Sequence, residues 1–235
     1  CAMAFDWQGR LFISQGPQYR NPKPDTPGDR ISILIDDDND GVADRTKTFA
    51  DGLNHIQGMA WRGNDLWVAN APELTIVRDT DGDDEADEYV LVYGGLGNIE
   101  HALHGLNHAP DGRVYMTKGN SKGFMDAASS ELYVAPKAFA DLWGMELPDG
   151  APEIPEPITF KRDEYRRGYH YPSDDWGTEG GVLRCDPDGK NLEIVSRGMR
   201  NPWDMAYDEH FNWLLTDQDQ DGGDRILSPF PSAHF

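Results

Sequence analysis

Three of the seven histidines in the sequence lie within one short segment. Residues 100–108 have the sequence Glu-His-Ala-Leu-His-Gly-Leu-Asn-His. Neutral imidazole binds transition metals, and on a helix His101, His104 and His108 would share a face suited to such a metal. A Pro-Asp-Gly turn follows the segment and favours strands instead. The spacing therefore leaves two interpretations open, a metal site or histidines that hydrogen-bond at the edge of a sheet.

A second group of candidate ligands consists of three acidic loops with carboxylates at alternate positions. The acids are Asp36, Asp38, Asp40 and Asp44 in the first loop, Asp79, Asp81, Asp83 and Asp87 in the second, and Asp217, Asp219, Asp221 and Asp224 in the third. Carboxylate oxygens at this spacing can surround a hard cation such as Ca²⁺, and Gly41 and Gly222 permit the tight turn in two of the loops. The loops lack the bidentate glutamate of an EF-hand. We therefore expect structural calcium sites, with solvated acidic turns as the alternative.

The elements that carry these residues follow a repeated pattern of strand, tight turn and strand. Copies of the pattern begin near residues 3, 59, 106 and 205, and their turns contain the Gly, Asn and Asp residues that a hairpin requires. Further apolar strands, such as residues 31–35, lie between the copies. Four strands in a repeat of about 45 residues are typical of a β-propeller blade. The sequence therefore predicts an all-β propeller of four-stranded blades.

The spacing of the copies also predicts a long insertion. The interval between the third and fourth copies is about twice the others, and residues 122–178 within it are rich in Pro, Tyr and charge. One short helix is predicted from residue 136 to residue 143. Because an open arrangement of four blades would expose strand edges, we expect residues 1–235 to be part of a six-bladed propeller, truncated at both ends and continuing after Phe235.

The composition excludes several classes of partner. Forty-two acidic and 21 basic residues give a formal net charge of −21, which argues against nucleic acid and against an anionic membrane surface. No apolar run approaches the roughly 20 residues that cross a bilayer. Cys1 and Cys185 lie too far apart in the sequence to set a disulfide framework. The acidic excess must be hydrated or neutralised by bound cations.

Residues 101–120 resemble the segment of the PQQ-dependent glucose/sorbosone dehydrogenase propellers that carries the catalytic histidine. The segment ends in Pro-Asp-Gly-Arg-Val-Tyr-Met-Thr-Lys-Gly-Asn, and the family's histidine lies nine residues before that proline, at the position of His101. Residues 196–203, Ser-Arg-Gly-Met-Arg-Asn-Pro-Trp, are similar to the Arg-Asn-Pro blade of the same family. With the acidic loops and the insertion, the chain is most similar to the planctomycete-type membrane-bound dehydrogenase domain.

This resemblance implies an oxidoreductase that transfers hydride from a sugar or related alcohol to PQQ. His101 would be the base, Arg200 would stabilise charge on the reduced quinone, and Asn201 would contact the cofactor. Asn120 stands where the family has a carboxylate that orients the histidine, and is a third expected cofactor contact. The resemblance also implies a periplasmic or extracellular protein with Ca²⁺ and PQQ as cofactors, a sugar as substrate and a c-type cytochrome module as a partner.

Two other functions remain open from the sequence. A lactonase-like hydrolase would need a metal at the propeller axis, and the residues that could bind it are Glu100, Asn107 or Asn201, and Asp204. A propeller without catalysis could bind glycans or proteins through the aromatic residues of the insertion, which are Tyr165, Tyr169, Tyr171 and Trp176. Loss of activity on metal removal would favour the hydrolase, and loss of binding on substitution of the aromatics would favour the binding protein.

Overall fold

The structure is a computed structural model in which strands dominate. It describes residues 2–17, 19, 25–97, 100–123, 135–165, 176–219 and 222–235. Within these ranges the strands are β1 (Met3–Phe5), β2 (Leu11–Gln15), β3 (Asp29–Ile35), β4 (Arg45–Leu53), β5 (Ile56–Arg62), β6 (Asp65–Asn70), β7 (Glu73–Arg78), β8 (Glu88–Tyr93), β9 (Leu103–His108), β10 (Val114–Lys118), β11 (Ile158–Lys161), β12 (Gly180–Cys185), β13 (Glu193–Met199), β14 (Pro202–Tyr207), β15 (Trp213–Asp217), β16 (Arg225–Leu227) and β17 (Ala233–His234). One helix, α1 (Lys137–Trp143), lies between β10 and β11. No helix of the described part is long and apolar enough to cross a membrane.

The strands form four sheets that are the blades of a β-propeller. Their strand orders are β1-β2-β3-β4, β5-β6-β7-β8-β11, β9-β10-β12-β13-β17 and β14-β15-β16. The first strands of successive blades, β1, β5, β9 and β14, contact one another in that order, so the blades are arranged around a common axis. The four predicted hairpins are the first two strands of the four blades. The propeller prediction is therefore confirmed.

The first strands of blades 2 and 4 and the residues before them have matching sequences. Residues 52–61 and 198–207 align without a gap, and both segments begin with a glycine in the left-handed region, with φ of 70° for Gly52 and 87° for Gly198. The last residue of the second strand pairs with the start of the first strand in blades 2, 3 and 4. These equivalent residues are Asn70, Lys118 and Asp217, and all three are buried polar side chains. In each of these blades the last residue of the second strand is therefore a buried polar residue at the end of the blade where the first strand begins.

The alternating strand directions separate the loops into two faces. We call the end at which the first strand of each blade begins the top face, and the opposite end the bottom face. The first and second acidic loops connect β3 to β4 and β7 to β8, which places them at the bottom face. The third connects β15 to β16 and lies at the top face. The ion pair between Arg10, in the bottom turn of blade 1, and Asp84, in the second acidic loop, agrees with this placement.

The insertion covers the edges of two blades. Helix α1 confirms the predicted helix and ends at Gly144, whose φ of 70° is left-handed. Its buried residues pack on the core between blades 2 and 3; they are Phe139, Ala140, Leu142 and Trp143. Strand β11 pairs with the outer strand β8 of blade 2, and the sequence pattern did not predict it. Tyr165 anchors the segment after β11 to blade 2, since its ring stacks on Tyr89 at 4.5 Å and its hydroxyl donates to Glu73.

The hydrophobic core consists of apolar layers between neighbouring blades. Phe12, Ile33, Leu66 and Val68 belong to the layer between blades 1 and 2. A second layer between blades 2 and 3 includes α1, and a third joins blades 3 and 4. Burial of each large apolar side chain stabilises the fold by about 1.5–3 kcal/mol. These layers fix the relative positions of the first strands, and so of the residues at the top face.

Candidate functional site

His101 and Asn120 form a hydrogen-bonded pair at the top face of blade 3. His101 precedes β9 and Asn120 follows β10, and the antiparallel pairing of Leu103 with Lys118 brings them together. The His101 Nδ1 and Asn120 Oδ1 atoms are 2.8 Å apart. Because the amide oxygen can only accept, Nδ1 carries a proton, and in the neutral form of the ring the lone pair is on Nε2. The histidine is 4% exposed.

The end of the insertion covers this pair. The Trp176 ring packs edge-on against the His101 ring, with centroids 4.7 Å apart. The Gly177 N–H donates to the Asn120 carbonyl at 2.8 Å, and Ser121 forms a β-bridge with Trp176. The sequence pointed to Trp176 only as one of several aromatics in the insertion. No local pattern could show its contact with His101, because the two residues are far apart in the chain.

A second histidine of blade 3 connects the pair to blade 4. His104 is fully buried, its Nε2 lies 3.1 Å from Asn201 Oδ1, and its ring stacks on Trp203 at 4.4 Å. Burial lowers the pKa of His104 to about 3, so the ring is neutral near pH 7. The side chain of Asn201 also donates to the Glu100 carbonyl, and its N–H donates to Asp217. Asn201 is thus buried, and its hydrogen-bonding groups join blades 3 and 4.

Arg200 lies next to the pair at the rim of the top face. Its carbonyl accepts the N–H of Asn120 at 2.9 Å. Its guanidinium is partly exposed and donates to the side chain and the carbonyl of Gln218. Arg200 therefore has a fixed main chain and an accessible charged group. Of the residues predicted to contact a cofactor, Arg200 and Asn120 lie side by side, and Asn201 lies beneath them.

A cleft of about 350 Å³ opens at the same face of the propeller. Its lining comes from blades 1, 2 and 4 and includes Tyr19, Asp29, His55, Gln57 and Trp203. Trp203 therefore contacts His104 and also forms part of the cleft wall. His55 has a φ of 36°, and such backbone strain in a bulky residue is concentrated at functional sites. Burial lowers the pKa of His55 to about 4. Aromatic walls with a few polar groups suit a small polar ligand.

In each of the first two acidic loops, three of the four expected ligands lie close together, and the fourth, Asp44 or Asp87, is not in the cluster. The carboxylate oxygens of Asp36, Asp38 and Asp40 all lie within 4.8 Å of one another, as do those of the second set, Asp79, Asp81 and Asp83. Asp36 accepts the N–H groups of Asp40 and Gly41, which holds the first turn closed. Asp44 and Asp87 accept N–H groups from their own loops.

The charges of the second loop are consistent with a cation site. The pKa of Asp81 is raised, because the hydrogen bond from the Asp83 N–H, which favours the charged form, is outweighed by repulsion from Asp83, Asp79 and Asp87 together with partial desolvation. A divalent cation would remove this repulsion. The donor set of each of the two loops, three carboxylates on one tight turn, therefore fits Ca²⁺.

The third acidic loop differs from the other two. Asp217 is buried, accepts the Asn201 N–H through Oδ1 and pairs with Arg225 through Oδ2. Asp219 lies 3.9 Å from the same guanidinium. Asp224 is exposed, and Asp221 lies outside the described residues. Because Arg225 already neutralises Asp217, that carboxylate serves the packing of blade 4, and a calcium site in this loop stays a prediction.

The structure also shows where most residues expected for a lactonase-like hydrolase or a glycan- or protein-binding propeller lie. Asn107 donates to the Met205 carbonyl, and Asp204 accepts the Met205 N–H, so both belong to the contact between blades 3 and 4. The His, Cys, Asp and Glu clusters found in the described residues are the two bottom loops, and Glu100 is in neither. Tyr165 is buried within the core. Tyr169 and Tyr171 lie outside the described residues. Neither alternative gains a specific observation.

Comparison with solved structures identifies the same fold in enzymes of sugar metabolism. An oxidoreductase described as a glucose dehydrogenase from Thermus thermophilus has a TM-score of 0.56 and 18% identity, with 100% of this chain and 62% of that chain covered. A PQQ-bound aldose sugar dehydrogenase from Streptomyces coelicolor has a TM-score of 0.57 and 15% identity, with 100% and 60% covered. A gluconolactonase from Xanthomonas campestris has a TM-score of 0.53 and 13% identity, with 97% and 56% covered.

These similarities establish the β-propeller fold alone, because identities of this size carry no information on activity. The chain spans about three fifths of the length of the solved structures that it resembles. No curated protein sequence matches it significantly. The narrower resemblance to planctomycete-type dehydrogenases stays a prediction. Residues 1–139, more than half of the chain, match a family described as a domain of unknown function, DUF7133, and the chain belongs to that family.

Proposed function

We propose that the chain is part of a quinone-dependent oxidoreductase that oxidises a hydroxyl group of a sugar or related alcohol. The observation that carries this proposal is the His101–Asn120 pair at the top face, where Asn120 accepts the Nδ1 proton and the neutral ring would present Nε2 as the base. The same face carries a cleft with tryptophan and tyrosine walls, which suits the faces of a sugar ring, and its wall residue Trp203 stacks on His104.

His101 would take the hydroxyl proton of the substrate at Nε2 while the carbon loses its hydride. The hydride carries the two electrons away, so the substrate becomes a carbonyl compound or a lactone, and the imidazole that took the hydroxyl proton becomes an imidazolium. Bound PQQ would supply the two-electron acceptor of this reaction. Asn120 keeps the ring in the tautomer that presents Nε2, and Trp176 shields one edge of the ring from water. These roles rest on this chain's own residues.

The residues at the top face fit a quinone in part. Arg200 supplies an accessible guanidinium next to Asn120, which suits a developing quinol oxyanion. Asn201 is used in the contact between blades, so we assign the cofactor contact to Arg200 and Asn120 rather than to Asn201. PQQ also carries three carboxylates, and we assign no partners for them among the described residues.

We also propose Ca²⁺ in the first two acidic loops and a location outside the cytoplasm. The two carboxylate trios lie at the bottom face, away from His101, so their role would be structural. Weak calcium sites are filled where the ion is abundant, as in the periplasm or outside the cell. A c-type cytochrome module would be a suitable partner for reoxidising the quinol.

The proposed function is tested by dye reduction with the full-length protein. The protein is loaded with Ca²⁺ and incubated with or without PQQ over a panel of aldoses, and the reduction of an artificial electron acceptor is followed. We expect reduction that requires both PQQ and an aldose. Folded, calcium-loaded protein that reduces no dye with any aldose would overturn the proposal.

A further inference from the structure

Lys118 is a fully buried lysine at the top of blade 3. Its side chain is 0% exposed, and it is the last residue of β10, directly beneath the segment that carries His101. Burying a charged group is unfavourable unless protein groups replace its water. A lysine at this place therefore requires a set of partners, and the structure supplies one.

The ammonium group of Lys118 is surrounded by backbone oxygens. Nζ donates to the carbonyls of His101 at 2.7 Å, Gly119 at 2.7 Å and Ser121 at 2.9 Å. Three acceptors match the three N–H bonds of an ammonium, whereas a neutral amine would direct a lone pair at one of the carbonyls. The face of Trp143 lies 5.0 Å from Nζ and adds a cation–π contact. Desolvation lowers the pKa of Lys118, but this geometry favours the charged form.

These carbonyls belong to the two segments that must meet for the His101–Asn120 pair to form. One is the carbonyl of His101 itself, and the other two flank Asn120 on either side. The Ser121 hydroxyl donates to the same His101 carbonyl at 2.7 Å. Lys118 thus ties the main chain of the histidine to the main chain around its partner. The 2.8 Å contact between Nδ1 and Oδ1 depends on this arrangement.

The equivalent residues of the neighbouring blades make simpler contacts. Asn70 in blade 2 accepts the N–H of Asn54, and Asp217 in blade 4 accepts the N–H of Asn201. Each of these acceptors takes one main-chain N–H at the start of its blade. The position is therefore structural in all three blades, but only in blade 3, which carries His101, does a cation bridge three carbonyls.

We infer that Lys118 is a positioning residue for His101, which holds the histidine and Asn120 in hydrogen-bonding register from beneath the site. This inference rests on the proposed function for its consequence in catalysis. Its structural part does not, because the hydrogen bond at Nδ1 can be observed without any substrate. Lys118 itself touches neither substrate nor cofactor.

The test compares Lys118→Met with Asn70→Leu in the full-length protein. Both variants replace a buried polar side chain at the same blade position by an apolar one, and the hydrogen bonds of Asn70 go to Asn54 and Tyr165 rather than to the His101 segment. Selective ¹⁵N labelling of histidine makes the Nδ1–H of His101 observable by NMR, and its signal is assigned by its loss in His101→Gln. Thermal stability, kcat and KM are measured for both variants.

We expect both variants to unfold at lower temperature, and only Lys118→Met to lose the His101 Nδ1–H signal. Its kcat should fall by about tenfold or more with KM little changed, because the base is misplaced but the cleft is intact. If Lys118→Met does not fold, Ser121→Ala removes one of the supporting hydrogen bonds without disturbing the charge, and it should weaken the same signal.

Retention of the His101 signal in folded Lys118→Met, or in Ser121→Ala where that variant is the one available, would overturn the inference. A wild-type protein that shows the signal but no dehydrogenase activity would overturn the proposed function alone. The two failures are therefore distinguishable.

Discussion

At the scale of single residues, the site depends on an imidazole whose Nδ1 proton has a fixed acceptor. Asn120 is an amide, so it orients His101 without stabilising the imidazolium as a carboxylate would. Lys118 places a positive charge beneath the same segment, and this charge adds to the lowering of the pKa of His104 by burial. These features support the proposed role of His101 as a base.

Replacing Asn120 by aspartate should change the pH dependence of the reaction. A carboxylate 2.8 Å from Nδ1 would stabilise the imidazolium, so a lower proton concentration would be needed to free the base. We expect the acid limb of the kcat/KM profile of Asn120→Asp to move to higher pH by about one unit or more. An unchanged limb, or one that moves to lower pH, would contradict the assignment of His101 as the base.

The buried histidines predict that stability falls in weak acid. An imidazole in the unfolded chain titrates near 6.5, and folded His104 titrates near 3, so between these values the unfolded state binds more protons. The contribution of His104 to the free energy of unfolding is therefore fully present above about pH 6.5 and is lost as the pH falls toward 3. His55 and His108, both with a pKa lowered to about 4 by burial, act in the same direction.

Chemical denaturation of wild type and His104→Gln at pH 7 and pH 5 measures this contribution. The wild type should lose about 2 kcal/mol more unfolding free energy between the two pH values than the variant, which has no proton to bind at this position. Glutamine can still donate to Asn201, so the variant should fold. Equal losses in the two proteins would show that His104 does not titrate as the structure implies.

At the scale of elements, the sequence predicts what depends on neighbours in the chain. The hairpins follow from turn residues and alternating apolar residues, and α1 follows from Pro136 and the spacing of Phe139, Leu142 and Trp143. The position of His101 near Asn120 follows from one hairpin. These features are set by contacts within about 20 residues, so the pattern of residue types contains them.

The remaining features depend on contacts between distant segments. Strand β11, which belongs to the insertion, pairs with β8 although β9, β10 and α1 lie between them in the chain, and Trp176 reaches His101 only because the insertion returns to blade 3. Lys118 is an ordinary lysine in the sequence, and its burial is set by α1 and the turn around Ser121. Likewise, the three acidic loops are similar in sequence, but only the structure shows Asp217 paired with Arg225. A single sequence has no signal for such contacts.

The first acidic loop offers a matched pair of variants for the calcium proposal. Asp38 belongs to the carboxylate trio, whereas the adjacent Asp37 pairs with Arg45 outside it. We expect Ca²⁺ to raise the melting temperature of the wild type and of Asp37→Asn, and to raise that of Asp38→Asn less. A calcium chelator should remove the difference. Equal responses of the two variants, or no response of the wild type, would contradict a calcium site in this loop.

At the scale of the whole molecule, the proposed calcium loops and the candidate catalytic site lie at opposite faces of the propeller. The layers between blades hold the first strands in place, and the carboxylate trios proposed to bind Ca²⁺ lie at the bottom face. The top face carries His101, Asn120 and Arg200 together with the cleft. The net charge of −21 is compatible with both, since calcium would neutralise part of it and a neutral sugar is not repelled.

The central claim is that His101 is the base of a sugar dehydrogenase, and one comparison tests it most directly. His101→Gln and His210→Gln are assayed beside the wild type for PQQ-dependent aldose oxidation; His210 is an exposed histidine in a bottom turn and serves as the control. We expect a loss of about 10²-fold or more in kcat for His101→Gln and wild-type activity for His210→Gln. Wild-type turnover by folded His101→Gln would contradict the role of His101 as the base.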